Sequence, residues 1–274
     1  MNSPGDRRYA LELDPGEVER YRMMAEQARA AEAELWELAG IGPGARVADV
    51  GCGPGAMLPA LSDEVGPDGS VQAVDADPDA VAAARSLVAA AGLDNVTVAQ
   101  GRADRTGLAE GSLEVVMLRH VLAHNGGAED AIVAHLAALV RPGGCVYLVD
   151  SDGTAIRSLP EHADLTDLQE RYAAFRAARG DDNRAGLRLA DRLARAGLEL
   201  VEFRGRYFIG QPPPEVRPPS WAAREAMVAA GVATADDVRR WDRAFQEVQA
   251  APVPPTVFAP MFAAVGRRPA EQPG

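Results

Sequence analysis

The chain has no lysine: all 28 of its basic residues are arginine, against 40 Asp and Glu, for a net charge of −12. An acidic chain repels phosphate backbones, which argues against a nucleic-acid partner unless a local basic patch overrides the total. Cysteine is almost missing. Cys52 and Cys145 are the only two, which matches neither a disulfide framework nor a zinc site, so both are expected as free thiols and no metal is expected. No run approaches the ~20 apolar residues that span a bilayer. No basic-then-apolar leader pattern opens the sequence. The expectation is a cytoplasmic protein without a membrane partner. Histidine is scarce as well, limited to His120, His124, His135 and His162, and that narrows any search for a general base.

Apolar residues are plentiful at 47%, enough for a large core and against global disorder. The length of 274 residues suits one domain, or one domain with a sizeable insertion. From Glu17 to Ala39, "EVERYRMMAEQARAAEAELWELA" has apolar residues at helical spacing, predicting an N-terminal helical segment over 1–40. An alternation follows. "RVADV", "SVQAVD", "VTVAQ", "LEVVML" and "CVYLVD" read as strands, and "AMLPALSDEV", "PDAVAAARSLVAAAG" and "AEDAIVAHLAALV" as helices between them. Strands alternating with helices imply βαβ units and a mainly parallel sheet covered on both faces. The last third adds helices, a strand "ELVEFRGRYFI", and a final apolar segment "VFAPMFAAVG". Between those two strands, the Pro-rich, helical stretch 211–255 reads as an insertion long enough to cap a pocket.

The chemistry starts in "VADVGCGPGAM". Sheets of this kind bind ligands beyond the carboxyl ends of their strands. Gly51, Gly53 and Gly55 follow the first strand of the alternation, where backbone N–H groups and the helix starting near Ala56 could meet a ligand. The spacing also fits G-x-G-x-x-A, a weak dinucleotide fingerprint. Asp75 ends the second strand, placed for two ribose hydroxyls, which NAD and S-adenosylmethionine both offer. Asp49, two residues before the first glycine, suits an ammonium and suits a pyrophosphate poorly.

"VADVGCGPG", Asp75 in "AVDADPDAV", "RHVLAH" after the fourth strand and "LVRPGG" together resemble class I S-adenosylmethionine-dependent methyltransferases. The resemblance covers about 40–152. More loosely, both ends resemble a group of bacterial small-molecule methyltransferases. It implies an α/β, Rossmann-like, mainly parallel seven-stranded sheet with helices on both faces, its last strand antiparallel, carrying a helical lid insertion on a methyltransferase domain at 41–274. It implies S-adenosylmethionine as cofactor and S-adenosylhomocysteine as product. Gly51, Cys52, Gly53 and Gly55 would hold the methionyl part, with Asp49 near its amino group and Arg119 beside it. Asp75 would take the ribose, Ala76 and Asp77 would border the adenine, and Gln27 would reach over the cofactor. Where the family commonly has an Asp against the adenine, this chain has Arg102, so the Ala103 backbone or Asp104 would serve instead.

A sulfonium methyl is already activated, and alignment is the main requirement. An amine or thiolate acceptor needs no base, whereas a hydroxyl generally does. His120 and His124 follow the fourth strand and would share a face if that segment were helical, which makes them the catalytic candidates. His124 could equally hold the loop. His135 reads as ordinary surface or packing, and His162 is given no role. Asp150 and Asp152 could bind a substrate amine or simply cap the next helix. Tyr9 and Tyr21 could close over the cofactor. Trp221, Trp241 and Phe245 could form an apolar lid or pack a helix onto the body. The expectation is methyl transfer to a small-molecule acceptor, with a homodimer left open. The rivals are a protein of this fold that binds the cofactor without methylating, and an NAD-dependent oxidoreductase.

Overall fold

The computed structural model describes residues 15–213 and 216–270, and within the first helix the backbone alone at 15–20, 23, 24 and 27. The elements run α1 (Pro15–Ala39), β1 (Arg46–Val50), α2 (Leu58–Val65), β2 (Ser70–Asp75), α3 (Pro78–Ala91), β3 (Val96–Gln100), β4 (Leu113–Arg119), α4 (Glu129–Leu139) and β5 (Val140–Ser151). Then come β6 (Arg157–Leu159), α5 (Ala163–Ala178), α6 (Leu189–Arg195), β7 (Glu199–Gly210), α7 (Pro219–Ala222), α8 (Arg224–Ala229), α9 (Ala235–Ala250) and β8 (Thr256–Arg267). Among the described residues, no helix is long and apolar enough to cross a membrane.

The sheet is ordered β3-β2-β1-β4-β5-β8, with β7 on the far side of β8. Strands β1 to β5 pair in parallel, and β8 runs antiparallel to both β5 and β7. Order therefore reverses at β1, between β2 and β4, where a doubly wound sheet opens a crevice for a ligand. The sheet has eight strands rather than the expected seven. Strand β8 is offset from β5, whose last residue, Ser151, pairs with Met261, and its first residues, Thr256 to Phe258, are paired by the short β6.

Alternation along the strands sorts the core into two layers. Val47, Val115, Met117 and Tyr147 pack with Leu35, Trp36, Leu58 and Leu61 under α1 and α2. Ala48, Val50, Val116 and Leu118 pack with Ile132, Leu136 and Leu193 under α4 and α6. Local signals set the boundaries. Asp77 caps α3 by accepting from the Asp79 amide at 2.9 Å, Pro78 fills its first turn, and Gly92 closes it in the left-handed region. Thr234 and Asp237 form a reciprocal capping box on α9. The strand read from the sequence as starting at Cys145 is longer, and the Arg141–Gly144 stretch before it lies inside β5: Val140 already pairs with Leu113, across an irregularity in the ladder.

A third core lies off the sheet. Trp241 is fully buried among Leu168, Tyr172 and Phe175 of α5 and Ala222, Ala223 and Met227 of α7 and α8. Trp221 meets Phe245 edge-on at 5.4 Å, and Arg217 sits over both rings, 4.2 and 4.7 Å from their centroids. The stretch between β7 and β8 thus packs on α5, a partner from outside it. Arg240 pairs with Asp164, Asp167 and Asp237, which ties α9 to α5.

Candidate active site

The glycine loop joins β1 to α2 at the reversal point. Gly51, Gly53 and Gly55 all have φ in the left-handed region, at 73°, 55° and 86°, a conformation that costs other residues dearly. Their surroundings differ. A Cβ on Gly51 would lie 2.3 Å from Val121 Cγ2, whereas one on Gly53 would meet nothing within 4 Å. Gly51 is therefore glycine for packing against the loop after β4, and Gly53 faces open space.

The loop amides point inward rather than at a ligand. Gly51 and Cys52 both donate to the Val74 carbonyl, at 2.7 and 3.1 Å, and Gly55 donates to the Cys52 carbonyl. Gly53 donates to Asp75 Oδ2 at 2.8 Å. A pyrophosphate needs amide donors aimed at it, and these four are already engaged. Nor does a helix terminus substitute for them: α2 begins at Leu58, two residues beyond the expected Ala56, and is only eight residues long. Cys52 is buried, and desolvation pushes its thiol well above the ordinary range. It fills space, and its burial disfavours the thiolate that a nucleophile needs.

Asp49 carries the strongest signal. It is 2% exposed, and among the described residues its Oδ2 has no hydrogen-bond partner. Burial pushes its carboxyl up to about 7, against the pull of Arg119 and with a push from Asp75. A buried acceptor left open is costly, and an ammonium is the group that would complete it. Asp75 ends β2 with its carboxylate braced from both sides, Gly53 N on Oδ2 and Asp77 N on Oδ1 at 2.9 Å. Burial raises its pKa, while those amides hold it down. The residues present thus fit an adenosyl amino acid: a buried anion for the ammonium, space beside Gly53, and a second carboxylate one strand away.

Next along the sheet edge, Asp75 is in register with Gln100, whose Nε2 donates to the Ala76 carbonyl at 3.1 Å. Arg102 grips Asp104 through two hydrogen bonds, at 2.9 and 3.1 Å, so the two side chains engage each other. Ala103 packs between them against the α4-side core. His135, read as packing, does more than fill space. Its Nε2 accepts from Thr106 N at 3.1 Å and contacts Thr106 Oγ1 at 2.9 Å. It anchors the segment between β3 and β4 to α4. Replacing His135 with alanine should cost about 1–2 kcal/mol by leaving a partly buried amide without its acceptor. Urea melts of the variant should show this, and an unchanged midpoint would remove the anchor.

His120 lies just past β4. Its φ is 55°, unusual for a residue with a side chain. His124 closes a 3-10 turn over Leu122–His124. The expected shared helical face is therefore absent, because His120 stands outside any helix and the turn is only three residues long. Asp150 explains the arrangement. Its Oδ2 accepts from Ala123 N at 3.0 Å and its Oδ1 from Ser151 N at 2.9 Å, and His120 Nδ1 lies 3.9 Å from that Oδ1. Asp150 is 1% exposed, and burial raises its carboxyl to about 6. It holds the loop and sits beside His120. Asp152 caps a turn by accepting from Thr154 N at 2.9 Å and from the Thr154 hydroxyl, and His162 caps α5.

Arg119, expected beside the methionyl group, is engaged by other side chains. Both of its terminal nitrogens bond Glu32 of α1, which also accepts from Tyr147 Oη at 2.5 Å and Arg206 Nη2 at 3.0 Å. Glu32, Tyr147 and Arg206 were not singled out from the sequence. One signal was available: among the described residues of α1, the buried ones are Ala25, Ala28, Glu32, Leu35, Trp36 and Ala39, a helical stripe with one carboxylate on it. Tyr21 is half-buried on α1. The side chain of Gln27 and all of Tyr9 lie outside the described residues.

The family described as "Methyltransferase domain" matches residues 47–144. An arsenite methyltransferase of Halobacterium salinarum is 30% identical over 165 residues, which is 60% of this chain but 40% of that protein. This chain therefore spans less than half the length of that relative. A putative methyltransferase of Bacillus halodurans superposes with a TM-score of 0.60 at 20% identity, over 88% of this chain and all of the other. The [4+2]-cyclase SpnF superposes at 0.55 with 15% identity, over 89% and 81% of the two chains. Switch point, open buried carboxylate and family match point the same way: the chain has the Rossmann-like fold that methyltransferase structures share, and its residues 47–144 match the family described as "Methyltransferase domain".

Proposed function

We propose that this chain transfers a methyl group from S-adenosylmethionine to a small-molecule acceptor. One observation carries the reading: Asp49 Oδ2 is buried and open next to a glycine loop whose amides are engaged elsewhere. That combination favours an ammonium and disfavours a pyrophosphate, and so favours the sulfonium cofactor over NAD. Bound S-adenosylmethionine supplies a methyl that needs alignment more than activation. Asp49 receives the amino group, Asp75 the ribose hydroxyls and the Ala103 backbone the adenine.

For a hydroxyl acceptor, His120 is the base. Asp150, 3.9 Å from Nδ1, would stabilise the imidazolium that forms. The helical module of α5 and α7 to α9 covers the acceptor. In support, Arg176 of α5 donates to the Ala123 carbonyl in the loop that follows His120, at 2.5 Å. A small acceptor agrees with the acidic charge and with the arsenite methyltransferase among the relatives. Incubation with methyl-labelled cofactor and a metabolite extract should place label on a small molecule. Cofactor binding without any labelled product would favour the second reading, a non-methylating protein of the same fold, which the likeness to a [4+2]-cyclase keeps in view.

Asp49 must be ionised to hold an ammonium, and its carboxyl titrates at about 7. Affinity for S-adenosylhomocysteine should therefore fall as pH drops below that value, by up to about tenfold per unit. It should level off above it until the ligand's own ammonium titrates. Asp49→Asn should remove the acid limb. Calorimetry between pH 5.5 and 7.5 checks this, and a flat wild-type affinity contradicts it.

A further inference from the structure

Arg119 and Asp49 lie on one face of the sheet. Asp49 is in register with Met117 of β4, and Arg119 is two residues further along the same strand, so its side chain emerges on the same side, toward the ligand end. The arginine is 9% exposed and Asp49 is buried. Each acts on the other electrostatically. A buried guanidinium beside a buried carboxylate would ordinarily pair with it. Here it does not: Asp49 Oδ2 stays open, and both terminal nitrogens of Arg119 bond Glu32 instead.

Glu32 is 2% exposed and held in place from three strands, by Arg119 of β4, Tyr147 of β5 and Arg206 of β7. Arg119 nevertheless pulls the Asp49 carboxyl down from where burial alone would put it. The guanidinium therefore lends its field to Asp49 without occupying it.

We propose that Glu32 is a positioning residue for cofactor binding: it captures the Arg119 guanidinium and so leaves the Asp49 carboxylate free to receive the cofactor's ammonium. This rests on the functional reading above and deepens it. Helix α1 then contributes to recognition without touching the ligand. Loss of Glu32 would release Arg119 onto Asp49, an internal ion pair that competes with the ammonium. The adenosine half of the ligand, held at Asp75 on the next strand, would not feel that competition.

The experiment is calorimetry on Glu32→Gln with two ligands. S-adenosylhomocysteine carries the ammonium, and 5′-methylthioadenosine has the same adenosyl thioether without it. The variant should bind S-adenosylhomocysteine about tenfold more weakly or worse, the loss of one charge-assisted hydrogen bond, and methylthioadenosine within about threefold of wild type. Equal losses for both ligands would make Glu32 a merely structural brace of α1 and overturn the proposal. So would an unchanged affinity for S-adenosylhomocysteine. Should Glu32→Gln not fold, Glu32→Asp, which keeps the charge but shortens the reach to Arg119, is judged by the same ratio. A wild-type protein that binds neither ligand would overturn the functional reading itself, an outcome distinct from selective behaviour of the variant.

Discussion

Asp75→Ala should weaken S-adenosylhomocysteine binding by about 10- to 150-fold, the ~1.5–3 kcal/mol of a hydrogen bond to a charged group. The carboxylate ends β2 at the crevice and is braced by the Gly53 and Asp77 amides. Those bonds use one lone pair on each oxygen and leave the others for a ribose diol. The same bonds make Asp75 a brace for the glycine loop, so alanine removes a ligand contact and loosens the Gly53 turn together. Asparagine keeps one acceptor oxygen and should fall between. The two effects separate by ligand: loss of the diol contact spares a 2′,3′-dideoxy analogue, whereas loosening the loop does not. Calorimetry across the wild type and both variants checks the order. An unchanged affinity in Asp75→Ala would mean the ribose is held elsewhere.

The second large effect divides two neighbouring glycines. Gly51→Ala places a Cβ 2.3 Å from Val121 Cγ2, at a φ of 73°. The left-handed backbone costs an alanine ~1–2 kcal/mol, and forcing a methyl into a packed contact adds ~1–3 kcal/mol. For a chain of this size that corresponds to a fall of about 5–15 °C in Tm. Gly53→Ala shares the backbone cost, but its Cβ meets nothing within 4 Å, so its Tm should drop by only about half as much. Its methyl projects into the space assigned to the ligand, and affinity should suffer instead. Thermal melts and calorimetry on the pair test this crossing. A Gly53 variant that binds like wild type would move the ligand away from the loop.

The legible part of the fold was what local pattern dictates. The β1 to β5 alternation, the glycine loop and Asp75 at a strand end all follow from periodicity and turn chemistry within about ten residues. What the sequence hid depends on contacts far apart in the chain. Strand β6 exists because β8 is offset from β5 and its first residues lie past the end of that strand, which no local signal reports. Glu32 is one of several glutamates on α1, and only its place on the buried stripe and its partners 87 to 174 residues away make it special. His120 and His124 invited a helical reading by spacing, but Asp150 pins the loop into a short turn that spacing cannot foresee. His135 looked like packing because its partner, the Thr106 amide, carries no side-chain signature. Within the site itself, the residue types were readable, while the direction of the loop amides was not. Three of the four amides are spent on β2 and one within the loop, and Asp49, rather than the backbone, becomes the open group.

Calorimetric titration of the wild-type protein with S-adenosylhomocysteine and, separately, with NAD tests the central claim most directly. One-to-one binding of S-adenosylhomocysteine, weakened by Asp49→Asn and Asp75→Ala, with no heat from NAD, is the predicted result. Binding of NAD without binding of S-adenosylhomocysteine would contradict it.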